Sequence, residues 1–449
     1  MNQKKALLVC ALVALAVVGA VFWNSGQKEE PVPESLAAST PVTPTPTAST
    51  PAPAVSAPAP AAAVKPEPAA LVPTAPASSE SASMAAAGSP IKIGYLATLT
   101  GEGATWGQHE REAALLAVKE VNEKGGLLGR PVELVCYDIK GKPEDAVNAI
   151  RRMIFDDKVV AVGGSNYSGI QLAVAPIAEA EKVPVVSSSA TNPVVTVDPD
   201  TGKVRPYMFR ITYTDPYQGM VIADYLIQKC GAKKLAILGD VGDAYSEGLT
   251  EFVKARANEL KAENRFWAFR GGDVDFRAQL TEAKAWGADA VALTMLYKEM
   301  GLVIKQAAEL DWKPFFMGGD GYSPNIFEIA GDAMEGTFWL YPMHNDDPKL
   351  TGLSTKFEKE YGRKPTEMLN MAFGYDILQM ILHAIGTAGK AEGPAIRDAI
   401  ENTKNLQVTH FTWTVDKTTH NPLNKPGAVL KAVGGKLEYL ETWAPQANF

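Results

Sequence analysis

Cysteine, histidine and clustered basic residues are all scarce in this sequence, and each scarcity closes off a class of function. Only three cysteines occur in 449 residues, Cys10, Cys136 and Cys230. Cys10 lies in an apolar leader and Cys136 in an expected strand, so no disulfide framework is expected, and no Cys/His spacing of the zinc type is present. The five histidines are His109, His344, His383, His410 and His420. None forms the H-E-x-x-H pattern of a metalloprotease, and GGSNYSG lacks the G-x-S-x-G spacing of a nucleophile elbow. An enzyme is therefore not expected, and neither a metal nor an organic cofactor is implied. The net charge of −8 comes without a basic block, which argues against nucleic acid and gives no patch for a membrane surface.

Large apolar side chains are missing from a long N-terminal stretch. From Asn24 to about Pro90 the composition is Pro, Ala, Ser and Thr, which cannot bury enough surface to offset the entropy of ordering. Residues 24–90 read as a disordered tether, able to reach on the order of 200 Å when extended as polyproline II. Ahead of it, Lys4 and Lys5 precede an uncharged, mostly apolar run from Ala6 to Trp23, long enough to span a slightly thinned bilayer. Residues 1–23 are a signal anchor or a signal peptide. Val18-Gly19-Ala20 resembles a cleavage site, whereas the length of the run and the interfacial pair Phe22-Trp23 favour an uncleaved anchor. The positive end stays in the cytoplasm, so the rest faces the periplasm or another extracytoplasmic space.

The remainder, 91–449, exceeds one ordinary core and should divide into two lobes. Its organising stretch is VVAVGGSNYSGIQLAVAPIAEAEKVPVVSSSATNP, Val159 to Pro193. Val159–Val162 is a short apolar run, Ile170, Leu172, Val174 and Ile177 recur at helical spacing, and Val183–Val186 begins a second run, which together predict a βαβ unit. Both strands end in hydroxyl-rich segments, and ligands of open parallel sheets bind beyond the carboxyl ends of strands. The first segment also opens a helix, whose N-terminus favours an anion. IKIGYLAT before this unit reads as a strand, a helix is expected from about Gly107 to Glu123, and PVELVCYD follows as a strand. Gly101-x-Gly103 invites a dinucleotide reading, but Trp106 stands where the third glycine is needed. MFRIT, from Met208, is read as the crossing into a second lobe, where strands and helices alternate again until PFFMGGDG places Asp320 at a strand end. The chain should return to the first lobe after about Gly336, and the tail is strand-rich. The expected lobes are about 91–207 with 341–425, and about 208–340 with 426–449.

IKIGYLATLTGEGATWGQ, the NEKGGLLGRP turn, YSGIQLAVAPIAEAEKVPVVSSSATNP, GDAYSEG and FMGGDG, in that order, resemble the type I periplasmic binding proteins, closest to the leucine/isoleucine/valine-binding proteins of ABC importers. The resemblance spans nearly all of 91–449. It implies an α/β fold of two doubly wound parallel-sheet lobes joined by hinge strands and closing over an amino acid, which is then delivered to the membrane subunits of an importer. Residue by residue, it assigns Ser168 to the ligand carboxylate, Ser189 and Thr191 to carboxylate and ammonium, Tyr245 to a second-lobe tyrosine, Asp320 to the ammonium and Trp106 to an aromatic wall; Tyr297 is carried beside Leu296, where relatives often have tyrosine. Branched-chain binders often have glutamate where Asp320 stands, which leaves the ligand open. A sensor module of the same fold, or a binder of an amide or other small polar solute, are the alternatives. Each residue also has a plainer reading: Ser168 as a helix cap, Thr191 and Asp320 as turn residues, Trp106 as packing, Tyr245 as a surface helix residue.

Overall fold

A computed structural model describes residues 88–443. The expected anchor, and all but the end of the expected tether, lie outside the described residues. The first sheet opens on β1 (Ile91–Ala97), whose side chains are nearly all buried, as in a strand covered on both faces. Then come α1 (Ala104–Glu123), β2 (Val132–Asp138), α2 (Pro143–Arg152), β3 (Ala161–Gly164), α3 (Ser168–Glu181), β4 (Val185–Ser187) and β5 (Met208–Arg210). The five strands are all parallel, in the order β2-β1-β3-β4-β5.

Several expectations are corrected here. The first helix starts at Ala104, ahead of Gly107, because Gly103 takes a left-handed φ of 74° and turns the chain into the helix at once, a conformation glycine adopts without penalty. β3 starts two residues into the apolar run from Val159. Ser168 does not cap α3: it is the first helical residue, Tyr167 occupies the cap position, and no side-chain cap bond forms. Met208 does not open the second lobe. Met208, Phe209 and Arg210 are fully buried and pair with β4, so the chain leaves the first sheet only after Arg210.

The second sheet is built from α4 (Asp215–Asp224), β6 (Lys234–Asp240), α5 (Ala244–Glu259), β7 (Glu263–Phe269), α6 (Arg277–Trp286), β8 (Ala290–Thr294), α7 (Tyr297–Glu309), β9 (Phe315–Gly318), α8 (Ile326–Ala330) and β10 (Phe338–Tyr341). The chain then returns to the first sheet with α9 (Thr351–Tyr361), α10 (Met368–Ala388) and α11 (Gly393–Glu401). A two-stranded ribbon, β11 (Leu406–Gln407) with β12 (Thr412–Trp413), precedes the last crossing, to β13 (Gly427–Val433) and β14 (Lys436–Trp443). The order is β14-β13-β10-β9-β8-β6-β7. An all-parallel second lobe is thus corrected at one edge: β13 runs antiparallel to β10, and β14 antiparallel to β13. The Gly434-Gly435 turn, with φ of 57° and 81°, suits a two-residue hairpin and folds β14 back on β13. β10, four residues of FWLY beyond Gly336, lies in the second sheet, ending at the expected bound of about 340.

Core formation fixes the crossing of α1 and α10. A Cβ on Gly374 would lie 2.1 Å from the Glu110 carbonyl oxygen, so the helices touch backbone to backbone at a residue that must lack a side chain. α10 also packs on β3 and β4. It is long and apolar enough to cross a membrane, but 83% of that stretch is buried inside the protein.

Candidate functional site

The strand ends of the two sheets converge on a narrow, half-open cleft. From the first sheet come Asn166 and Tyr167 after β3 and Ser189 after β4, with Trp106 from the first turn of α1 and Leu369 and Asn370 from α10. The second sheet supplies Asp243 and Tyr245 after β6, Leu296 after β8, Asp320, Gly321 and Tyr322 after β9, and Tyr341 from the end of β10. Placement beyond carboxyl ends follows from parallel strands whose helices all start on that side, leaving loops and helix N-termini to line the crevice.

Of the residues expected from the sequence, Trp106, Ser189, Tyr245 and Asp320 line this cavity. Tyr297 stands against it through Trp106, ring centroids 5.3 Å apart and 70° between planes, a contact between the lobes. Ser168 and Thr191 are fully buried and do not line it. The Ser168 hydroxyl accepts from the Asn192 N–H at 3.3 Å, and that of Thr191 lies beside the Asp215 carboxyl, whose charge it favours.

Asp320 is 9% exposed, and its Oδ2 has no partner among the described residues. Burial pushes its carboxyl up to about 7, against the pull of Gln218 and Tyr245. Its backbone N–H donates to Gln218 Oε1 at 3.0 Å, and the next N–H, of Gly321, donates to the Tyr245 hydroxyl at 3.2 Å. The buried cation near this group is Arg210 at the end of β5, which donates to the carbonyls of Ala190 at 2.7 Å and Asn192 at 2.8 Å and to Thr196 Oγ1 at 3.2 Å. Burial lowers its pKa to about 10, opposed by Asp215 and Asp320.

Two further carboxyls are raised to about 7 by burial, Glu110 and Glu367. Glu367, before α10, accepts from Ser323 Oγ at 2.7 Å. Ser323 follows β9, so this bond ties the lobes together, as does Asn192 Nδ2 donating to the Ala244 carbonyl at 2.6 Å. The two lobes are therefore closed on each other.

Sequence reasoning missed Arg210, Asp215, Glu110, Glu367, Asn166 and Asn370. Arg210 had a signal, a charge inside the apolar MFRIT run. So did Glu110: with Trp106, Ala113 and Ala117 it falls at helical spacing on the buried face of α1. For Asn370 no local pattern existed, since only the α1–α10 crossing brings it to the cavity.

This arrangement can hold a small zwitterion. A carboxyl with one unpartnered oxygen stands on one lobe, hydroxyl and amide groups on the other, with aromatic walls between them. A family model described as periplasmic binding protein matches residues 90–436. The chain belongs to that family, in its type I branch. The leucine-, isoleucine-, valine-, threonine- and alanine-binding protein of Pseudomonas aeruginosa is 29% identical over 357 residues, 75% of this chain and 93% of that one. A leucine binding protein of Thermotoga maritima superimposes with a TM-score of 0.73 at 32% identity, covering 79% of this chain and 99% of its own. The branched-chain amino acid transporter substrate binding protein of Streptococcus pneumoniae, solved with isoleucine, gives 0.72 at 27% identity over 79% of this chain and all of its own, 100%. These three proteins are similar to this chain over 75–79% of its length.

Proposed function

We propose that this protein is an extracytoplasmic solute-binding protein that captures an amino acid between its lobes and delivers it, unchanged, to an ABC importer. The observation that carries the reading is Asp320: a buried carboxyl whose Oδ2 lacks a protein partner, in a cavity with hydroxyl and amide groups opposite. Burying either charge of a zwitterion without a partner is costly, and here the ammonium meets Asp320 while the carboxylate meets Ser189 and the N–H groups at the start of α3. Trp106, Tyr245 and Tyr297 form the aromatic walls, and Ser168 and Thr191 act from behind, shaping the segments that carry the donors. A ligand touching both lobes stabilises the closed form by its differential affinity for it. The names of the relatives support an amino acid as cargo, and the residue types at the cavity support binding without turnover.

The N-terminal run is proposed to hold the protein at the cytoplasmic membrane, the Pro/Ala/Ser/Thr-rich segment acting as a leash. The deciding experiment is a thermal-shift screen of the amino acids on the full chain, followed by calorimetry and recovery of the ligand. A hit with affinity around micromolar, about −8 kcal/mol, recovered intact, is expected. If no amino acid raises the melting temperature, the reading fails.

A further inference from the structure

Glu110 is completely buried beneath the cavity wall, placed there by the contact of α1 with α10 at Gly374. Three donors converge on its carboxylate: Tyr95 Oη at 3.1 Å, Asn166 Nδ2 at 2.7 Å and Asn370 Nδ2 at 3.3 Å. Both asparagines turn their NH₂ ends towards it, the orientation an ionised carboxylate, which only accepts, requires. Asn166 spends the same nitrogen on Ser189 Oγ at 3.3 Å. The carbonyl end of Asn370 is thereby directed away from Glu110. This residue is 3% exposed and lines the cavity, and its Oδ1 has no partner among the described residues. Buried polar atoms in native structures have partners with few exceptions, and an orphan is costly.

We propose that the ligand side chain supplies that partner, a neutral N–H or O–H donor received by Asn370 Oδ1, so that the site selects a small polar amino acid over a branched-chain one. The inference rests on the amino-acid reading above and narrows it. Glu110 is the positioning residue: its carboxylate sets the orientation of the acceptor and never touches the ligand. A neutral donor fits better than a second cation, because the Glu110 oxygens behind the amide are already taken by three protein donors. A leucine side chain placed here would leave Oδ1 unpaired, and sites built to hydrogen-bond a substrate group discriminate strongly against analogues that lack it.

Two pairs of near-isosteres test this in calorimetry on the full chain: asparagine against leucine, and threonine against valine. The polar member of at least one pair is expected to bind roughly tenfold to a hundredfold tighter than its apolar counterpart, and Asn370→Leu is expected to abolish or invert that order. If leucine and valine match or exceed both polar partners on the wild-type chain, the inference is overturned while the amino-acid reading stands. If no amino acid binds, both fall. The wild-type ranking needs no variant, so misfolding of Asn370→Leu leaves the decision intact.

Discussion

Lowering the pH from 8 to 5 should weaken ligand binding as Asp320 takes up a proton. The ligand ammonium pairs only with the ionised carboxyl, which burial raises to about 7. Above that value affinity should be level. Below it each pH unit costs up to about tenfold, or ~1.4 kcal/mol, so pH 5 should be as much as about a hundredfold weaker than pH 8. Free amino acids stay zwitterionic across this range, so the ligand contributes no slope of its own. Asp320→Asn keeps the shape and the backbone bond to Gln218 while removing the charge. It should cost about 3–5 kcal/mol at pH 8, because a buried cation is left unpaired, and the residual affinity should lose one proton's worth of pH dependence. Glu110 and Glu367 titrate near the same pH, which is why the variant, and not the wild-type slope alone, decides. The effect on stability has the opposite sense. The folded carboxyl pKa lies above the unfolded value, so between about pH 4 and 7 the native state holds a proton that the unfolded state has lost, and stability without ligand falls as pH rises through that window. The shift from 3.8 to about 7 corresponds to roughly 4 kcal/mol. Titration calorimetry and denaturant melts at matched pH read both quantities. Wild-type affinity in Asp320→Asn at pH 8, for an amino-acid ligand, would refute the pairing.

Arg210→Met should destabilise the chain by about 3–5 kcal/mol in denaturant unfolding, since Asp215 and Asp320 lose their buried cation; a change within 0.5 kcal/mol, the ordinary range of surface substitutions, would mean that the three do not act as a charge cluster. Ser323→Ala removes the bond to Glu367, which joins the lobes, and should weaken binding by about 1–2 kcal/mol while leaving melting without ligand nearly unchanged, as calorimetry and thermal melts would show. The full chain should sediment with membranes, and a shortened chain beginning at Pro90 should be soluble with the same affinity for ligand; finding the mature N-terminus at Val21 would remove the anchor from the account.

The sequence spoke most clearly where structure is local. Continuous apolar runs such as Leu235–Leu238 are strands buried on both faces, and helices such as Ala244–Glu259 follow them as their spacing predicts. It spoke less clearly where four-residue strands must find partners: FWLY has no periodicity of its own, and only the sheet between β9 and β13 makes it a strand. The site divides in the same way. Asp320 between glycines and Tyr245 after a strand stand at positions that topology alone sends to the crevice. Polar groups that act from inside the core are harder to see, because a buried charge is defined by its partners and those lie far away in the chain. Arg210 meets carbonyls 18 and 20 residues earlier; Glu110 and Asn370 are 260 residues apart. Gly374 links the two levels. A glycine inside a helix costs about 1 kcal/mol against alanine, and here it allows the close crossing that carries Glu110 to the back of the cavity and Asn370 to its wall. The proposed choice of ligand therefore rests on a helix contact that neither segment announces.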